Sequence, residues 1–332
     1  MAFRLKLVPT HTTIDFFRHQ WLTFGAAVFL MLASIASMVW PGLNFGIDFK
    51  GGTTIRTETS QVLDVGAYRE ALDTLKLGDV IISEVFDPNF RADQHVATIR
   101  IQAQGDSAAA MNGDQIAGVE AALKAVDPAV KIVSTESVGP KVSGELVWTA
   151  VWSLLATIIG IMGYIWIRFE WQFAIGAAVS LVHDLFLTIG IFVAFQLKFD
   201  LSIVAALLTI LGYSINDTVV VFDRLRENLV KFKTMPLRDV MNLSVNETLS
   251  RTVATGMTTL LALVPLLVLG GDVIRGFVFA MVWGVFVGTY SSVFVAKNIV
   301  LFLGVNRNKT KVDPSAKIFG DKVEVLDADN RG

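Results

Sequence analysis

LSIVAALLTILGYSINDTVVVFDRLREN, residues 201–228, decides how the rest of the chain is read. It begins as a run apolar enough to cross a bilayer. Near its far end stand Gly212, Tyr213, Ser214, Asn216 and Asp217, and four more apolar residues occupy 219–222. Asp223, Arg224, Arg226 and Glu227 then belong in water. Asp217 is therefore a carboxyl group inside a membrane span. A charge at that depth costs at least about 2.5–3.5 kcal/mol on insertion scales, so such acids face a bundle interior or a wet cavity.

The composition agrees with a membrane setting. Of 332 residues, 53% are hydrophobic and 17% charged, against about 25% charged in soluble domains. A net charge of −2 does not point to nucleic acid. The chain has no cysteine, which excludes disulfides and thiolate metal sites but leaves the compartment open. No nucleotide loop is present, and His11, His19, His95 and His183 are scattered, so no soluble enzyme is supported.

Working outward, residues 1–20 form a polar N-terminus with Arg4, Lys6 and Arg18. The run at 21–40 is just long enough for about 30 Å of hydrocarbon. It is longer than a signal-peptide core and is read as an uncleaved first span. Five further spans are expected at 146–167, 171–195, 201–222, 252–269 and 277–303. A loop at 223–251 separates the fourth and fifth spans, and a tail covers 304–332. Within that loop, 236–249 opens with Pro236 and carries a weak apolar face, as a surface helix would. No internal repeat is visible.

Residues 41–144 differ in character. Period-2 and period-3.6 patterns give strand 53–59, helix 64–77, strand 79–86, strand 95–103, helix 112–126 and strand 130–138. The order βαββαβ is that of a ferredoxin-like split βαβ unit. The expected fold class is a membrane all-α bundle of six transmembrane helices with a small α+β, ferredoxin-like periplasmic domain after the first helix. Gly51, Gly52, Gly139 and Pro140 stand at its edges as hinge or turn residues.

Lys and Arg crowd the N-terminus, the 223–251 loop and the tail, while the opposite turns hold only Lys198 and Arg275. By the positive-inside rule both termini are cytoplasmic and 41–144 lies outside, in the periplasm of a Gram-negative cell.

Asp217 lies about six residues before the cytoplasmic end of its span, roughly 9 Å. Arg251 starts the next, antiparallel span, so the two can meet at one depth. An acid that is buried beside a mobile cation can change protonation state, as a proton relay requires. The alternatives are an Asp217 held neutral by a hydrogen bond to a neighbouring helix, and an Arg251 that snorkels to headgroups. Asn216 projects about 100° away from Asp217 and is equally readable as packing. His183 and Asp184, mid-span, form a second ionisable pair, either functional or structural, with Asp184 satisfied by His183 or by a fourth-span hydroxyl as an interhelical hydrogen bond. Lys297, near a span end, is expected to snorkel. Gly284, Gly288, Ser291 and Ser292 give a small-xxx-small packing face.

Several blocks together resemble the SecF family, the smaller membrane subunits of bacterial SecD–SecF protein-export complexes. They are GIDFKGG (46–52), VGP (138–140), VHD (182–184), GYSINDTVVVFDRLREN (212–228), NETLSRT (246–252) and GTYSS (288–292). The resemblance implies half of an RND-type transporter, paired with SecD. It implies association with the SecYEG channel, often with YajC and YidC, in the bacterial inner membrane. It implies use of the proton motive force, without nucleotide or metal, to draw a preprotein out. It assigns Asp217 and Arg251 to the proton path, which an acid from SecD would complete. The rival classes are a small-molecule RND exporter and a purely structural translocon assembly factor.

Overall fold

The computed structural model describes residues 12–305, apart from 79, 88–89, 92 and 103–110. Arg4, Lys6 and the basic tail, on which part of the topology expectation rests, lie outside the described residues.

In chain order, α1 (Gln20–Val39) leads to β1 (Asn44–Phe45) and one helical turn, α2 (Ile47–Lys50). A head domain follows: β2 (Gly52–Thr59), α3 (Val65–Asp73), β3 (Val80–Val85), β4 (His95–Gln102), α4 (Gly113–Val126) and β5 (Lys131–Val138). Then come α5 (Pro140–Arg168), α6 (Trp171–Ala194), β6 (Lys198–Phe199), α7 (Leu201–Lys231), α8 (Leu237–Leu269) and α9 (Gly271–Ser291). A π-helical turn, Ser292–Ala296, joins α9 to α10 (Lys297–Leu303). Six helical stretches among the described residues are long and apolar enough to cross a membrane, with α9 and α10 counting as one.

The head's four strands run in the order β3-β4-β2-β5, every neighbouring pair antiparallel. Successive side chains point to opposite faces. Ile55, Ala97, Ile99 and Ile101 pack on Tyr68, Leu72, Val119 and Leu123 of the two helices. Fully burying such side chains is worth roughly 1.5–3 kcal/mol each in a water-soluble domain. The other face carries Thr54, Arg56, Thr98 and Arg100. Both helices start where the sequence caps them: Asp64 accepts from the Ala67 amide, and Asn112 and Gln115 form a capping box.

In the bundle α6, α7 and α9 are central, and α1, α5 and α8 expose most of their apolar surface. Lipid offers no hydrophobic drive between helices, so close packing has to hold them. A Cβ on Gly284 would lie 2.4 Å from Ile210 Cγ1, and one on Gly288 would lie 2.9 Å from Ser214 Cβ. The small residues of α9 thus let it press directly onto α7.

The segment 41–51 belongs to the junction rather than to the sheet. β1 pairs in parallel with β6, tying the chain after α1 to the α6–α7 turn. Gly51 caps α2 at φ +74 and Gly52 opens β2 at φ +138, both backbone conformations that side chains rarely adopt. Gly139 has φ −74 and open space around it, and α5 starts at once with Pro140 at its first turn. The exit from the head is a single residue wide.

Two expectations are revised. The surface helix at 236–249 is the first part of α8, continuous to Leu269, and α7 itself runs on to Lys231. Polar contacts zip these extensions together beyond the apolar stretch. Arg224 Nε donates to Glu247 Oε2 at 2.7 Å, and Asn228 Nδ2 donates to Glu247 Oε2 at 2.6 Å and to Ser244 Oγ at 3.0 Å. Lys297 does not snorkel; it is 1% exposed. The segment before α1 folds over it, so Nζ donates to the Phe16 carbonyl at 3.0 Å and sits 3.6 Å from the Phe17 ring centroid. Thr12, Ile14 and Phe16 are pinned there by Asn246 and Asn242 of α8.

Candidate proton site in the membrane

The two intramembrane acids have opposite surroundings. Asp184, on α6, is fully buried, and both its oxygens are engaged. Oδ2 accepts from Ser214 Oγ of α7 at 2.5 Å and from Ser291 Oγ of α9 at 2.8 Å. Oδ1 lies 3.0 Å from His183 Nδ1. One carboxyl group therefore joins the three central helices. Next to it Thr218 Oγ1 and Ser292 Oγ stand 2.8 Å apart. Ser292 opens the π-helical turn, an irregularity that often marks functional positions.

Asp217 is 3% exposed, and its Oδ2 is buried without a hydrogen-bond partner. It lies three residues beyond Ser214 on α7, close to one helical turn away. Arg251 stands on α8, exposed and close enough for its charge to act on Asp217, yet no ion pair joins the two. The expected meeting of acid and cation is thus an approach across a gap. His183 Nε2 is likewise buried without a partner among the described residues. Asn216 is exposed on the outward face of α7.

A carboxyl group in a low-dielectric site with no donor has nothing to hold its charge in place. Gain or loss of a proton there changes the local charge without breaking a hydrogen bond. At Asp184 the same event would disturb three helices. The sequence pointed to both acids, and to His183 or a fourth-span hydroxyl as the partner of Asp184; Ser214 is such a hydroxyl, whereas Ser291 of α9 was not foreseen as a donor. The only hint was that small hydroxyl residues recur on the packing faces of α7 and α9.

Comparison with known proteins agrees with this architecture. Residues 118–306 match the family "Protein export membrane protein SecD/SecF, C-terminal", and residues 37–61 match the "SecD/SecF GG Motif". The chain is 73% identical over 326 residues to protein translocase subunit SecF of Rhodobacter capsulatus, covering 97% of this chain and 98% of that one. It is 38% identical over 302 residues to the SecF subunit of Vibrio alginolyticus, covering 91% and 93%. Among solved structures it is similar to SecDF, a translocon-associated membrane protein from Thermus, with TM-score 0.78 and 31% identity, covering 90% of this chain. It spans only 39% of that SecDF chain. A multi-pass membrane protein with the two motif regions in place and near full-length identity of this order is a member of one family: the chain belongs to the SecF family of protein translocase subunits.

Proposed function

We propose that this chain is the SecF half of a proton-driven export motor. In this reading Asp217 takes up and releases the proton, Arg251 answers its charge, and protons are the coupling ion. The observation that carries it is the buried Asp217 carboxyl, its Oδ2 without a hydrogen-bond partner among the described residues, close to the charge of an Arg251 with which it forms no ion pair. Asp184 supports the assignment by contrast: it is the acid that the bundle holds fixed. The work performed is force on conformation, with no covalent step.

A SecD subunit is the proposed partner, at the Sec translocon with SecYEG and, in the same proposal, YajC, YidC and the emerging preprotein. Two findings support a second half. The chain matches only part of the longer SecDF chain. Asn216 on α7 and Arg251 on α8 are also exposed at membrane depth. Polar groups of this kind are expensive against lipid, so a protein surface is the fitting cover. The head's strand order, with α3 and α4 as its two crossovers, is read as a ferredoxin-like domain, and the charge bias supports the reading that it lies in the periplasm with both termini inside. Reporter fusions at residue 90 and at the C-terminus test that placement: export activity at the C-terminus or its absence at 90 overturns it.

The functional test is preprotein release from membrane vesicles with and without a proton gradient. Asp217→Asn keeps size and removes titration, so release should become indifferent to the gradient. Gradient-stimulated release by this variant would favour the scaffold reading instead.

A further inference from the structure

One helix, α7, carries both Ser214 and Asp217 and runs unbroken from Leu201 to Lys231. Its first turn lies against the foot of the head, β1 and α2. A helix leaves the N–H groups of its first turn without partners of its own. Asp200, the N-cap, accepts from the Ser202 amide at 3.1 Å. The Leu201 amide finds its acceptor in a different element: Asp48 Oδ2 of α2, 153 residues away in sequence, at 2.9 Å. A carboxylate in that place also meets the positive end of the helix dipole.

The rest of the foot grips the turn before α7. Gly46 N donates to the Phe199 carbonyl at 2.7 Å, and Asn44 Nδ2 donates to the Gln196 carbonyl at 2.9 Å. Phe45 and Phe49 both set their rings against Phe199. The approach is close: a Cβ on Gly46 would lie 3.0 Å from Lys198 Cε and 3.2 Å from Asp200 Cβ. Among the described residues, the Asp48 bond is the one hydrogen bond from the foot that reaches α7 itself. On its other side the foot leads straight into the sheet. Gly51 alone separates α2 from β2, and Gly52 is already paired with Gln102 of β4 and with Val138 of β5. Since β2 is a central strand, a shift at the start of α7 reaches the middle of the head through residues 48–51.

We propose that Asp48 is a positioning residue that transmits the state of the proton site to the head. A change of charge at Asp217 alters how α7 sits against its neighbours, the helix moves as one piece, and Asp48 passes the movement to β2. The inference deepens the motor reading above and rests on it. A cap that only stabilised α7 would, when removed, lower proton flux and export together. A transmitting contact, when removed, separates them.

The test pairs the full chain with its SecD partner and reads two quantities: proton flux in proteoliposomes and gradient-driven preprotein release from membrane vesicles. Asp48→Ala removes the acceptor. Its release should lose the stimulation by the gradient while its flux stays at the parent level, protons now passing without work. Asp48→Asn keeps an oxygen for the Leu201 amide and should retain both flux and stimulated release. Normal gradient-driven release by Asp48→Ala overturns the proposal. So does a joint loss of flux and release in that variant, or a loss of stimulated release in Asp48→Asn. A parent protein whose release ignores the gradient sinks the motor reading and the transmission with it. A gradient-driven parent, an inert Asp217→Asn and an unaffected Asp48→Ala sink the transmission alone.

Discussion

Ser214 Oγ donates to Asp184 Oδ2 at 2.5 Å, fastening α7 to α6 close to one helical turn from the unpartnered Asp217. Two acids at membrane depth thus divide the work: one binds helices together and the other stays free of donors. Asp184→Asn leaves one amide oxygen to serve two serines and turns the other position into a donor. Hydrogen bonds between membrane helices are worth about 0.6–1.7 kcal/mol each. The variant should unfold in detergent about 1–2 kcal/mol more easily. Asp217→Asn, which loses no partner, should stay within about 0.5 kcal/mol of the parent. Equal destabilisation of the two would erase the distinction.

Gly284→Ala tests how tightly α9 presses on α7. The added methyl would stand 2.4 Å from Ile210 Cγ1, so the helices must separate. Overpacking of this kind costs about 1–3 kcal/mol. Gly212→Ala, where the added carbon meets open space, is the control and should leave thermal stability unchanged. A stable Gly284→Ala protein would show that the interface yields.

Lys297 holds the segment before α1 in place through the Phe16 carbonyl and the Phe17 ring. Lys297→Met keeps the stem and removes the charge. A desolvated cation–π contact is worth about 2 kcal/mol, so amide exchange across 12–19 should accelerate at least about tenfold. Unchanged protection there would mean that Asn242 and Asn246 suffice.

The head contains a group that titrates far from neutrality. Tyr68 is buried beside Asp127, and burial first, then the Asp127 charge, push its pKa from 10.0 to about 12. The folded state therefore binds the proton more tightly than the unfolded one. Stability from this source is complete below pH 10 and is lost as pH rises from 10 to about 12. Tyr68→Phe should melt with a flatter pH dependence across that window. Parallel curves for the two proteins would contradict the assignment.

The six spans were legible because long apolar runs leave no alternative, and the head because alternation at period 2 marked each strand. Asp217 was legible for the same reason: a carboxyl in an apolar run stands out. The partners were legible only in part, as His183 or some fourth-span hydroxyl for Asp184. Asp184 finds its donors 30 and 107 residues away, and Lys297 finds its acceptor 281 residues away. Sequence spacing carries no information about such pairs. The continuity of α8 was hidden because its buried Val240, Met241 and Val245 face the extended α7 beyond the bilayer. Arg251 was expected to start a span and instead stands within the continuous α8, and whether it touches Asp217 depends on the helices' rotation, which no pattern in the chain specifies.

The most direct test is proton flux through the chain and its SecD partner in proteoliposomes. An acid step outside is followed by a trapped pH dye inside. The wild-type pair should acidify the interior faster than empty vesicles, and Asp217→Asn should fall to the empty-vesicle rate. Wild-type flux in the Asp217→Asn protein would contradict Asp217 as the proton carrier.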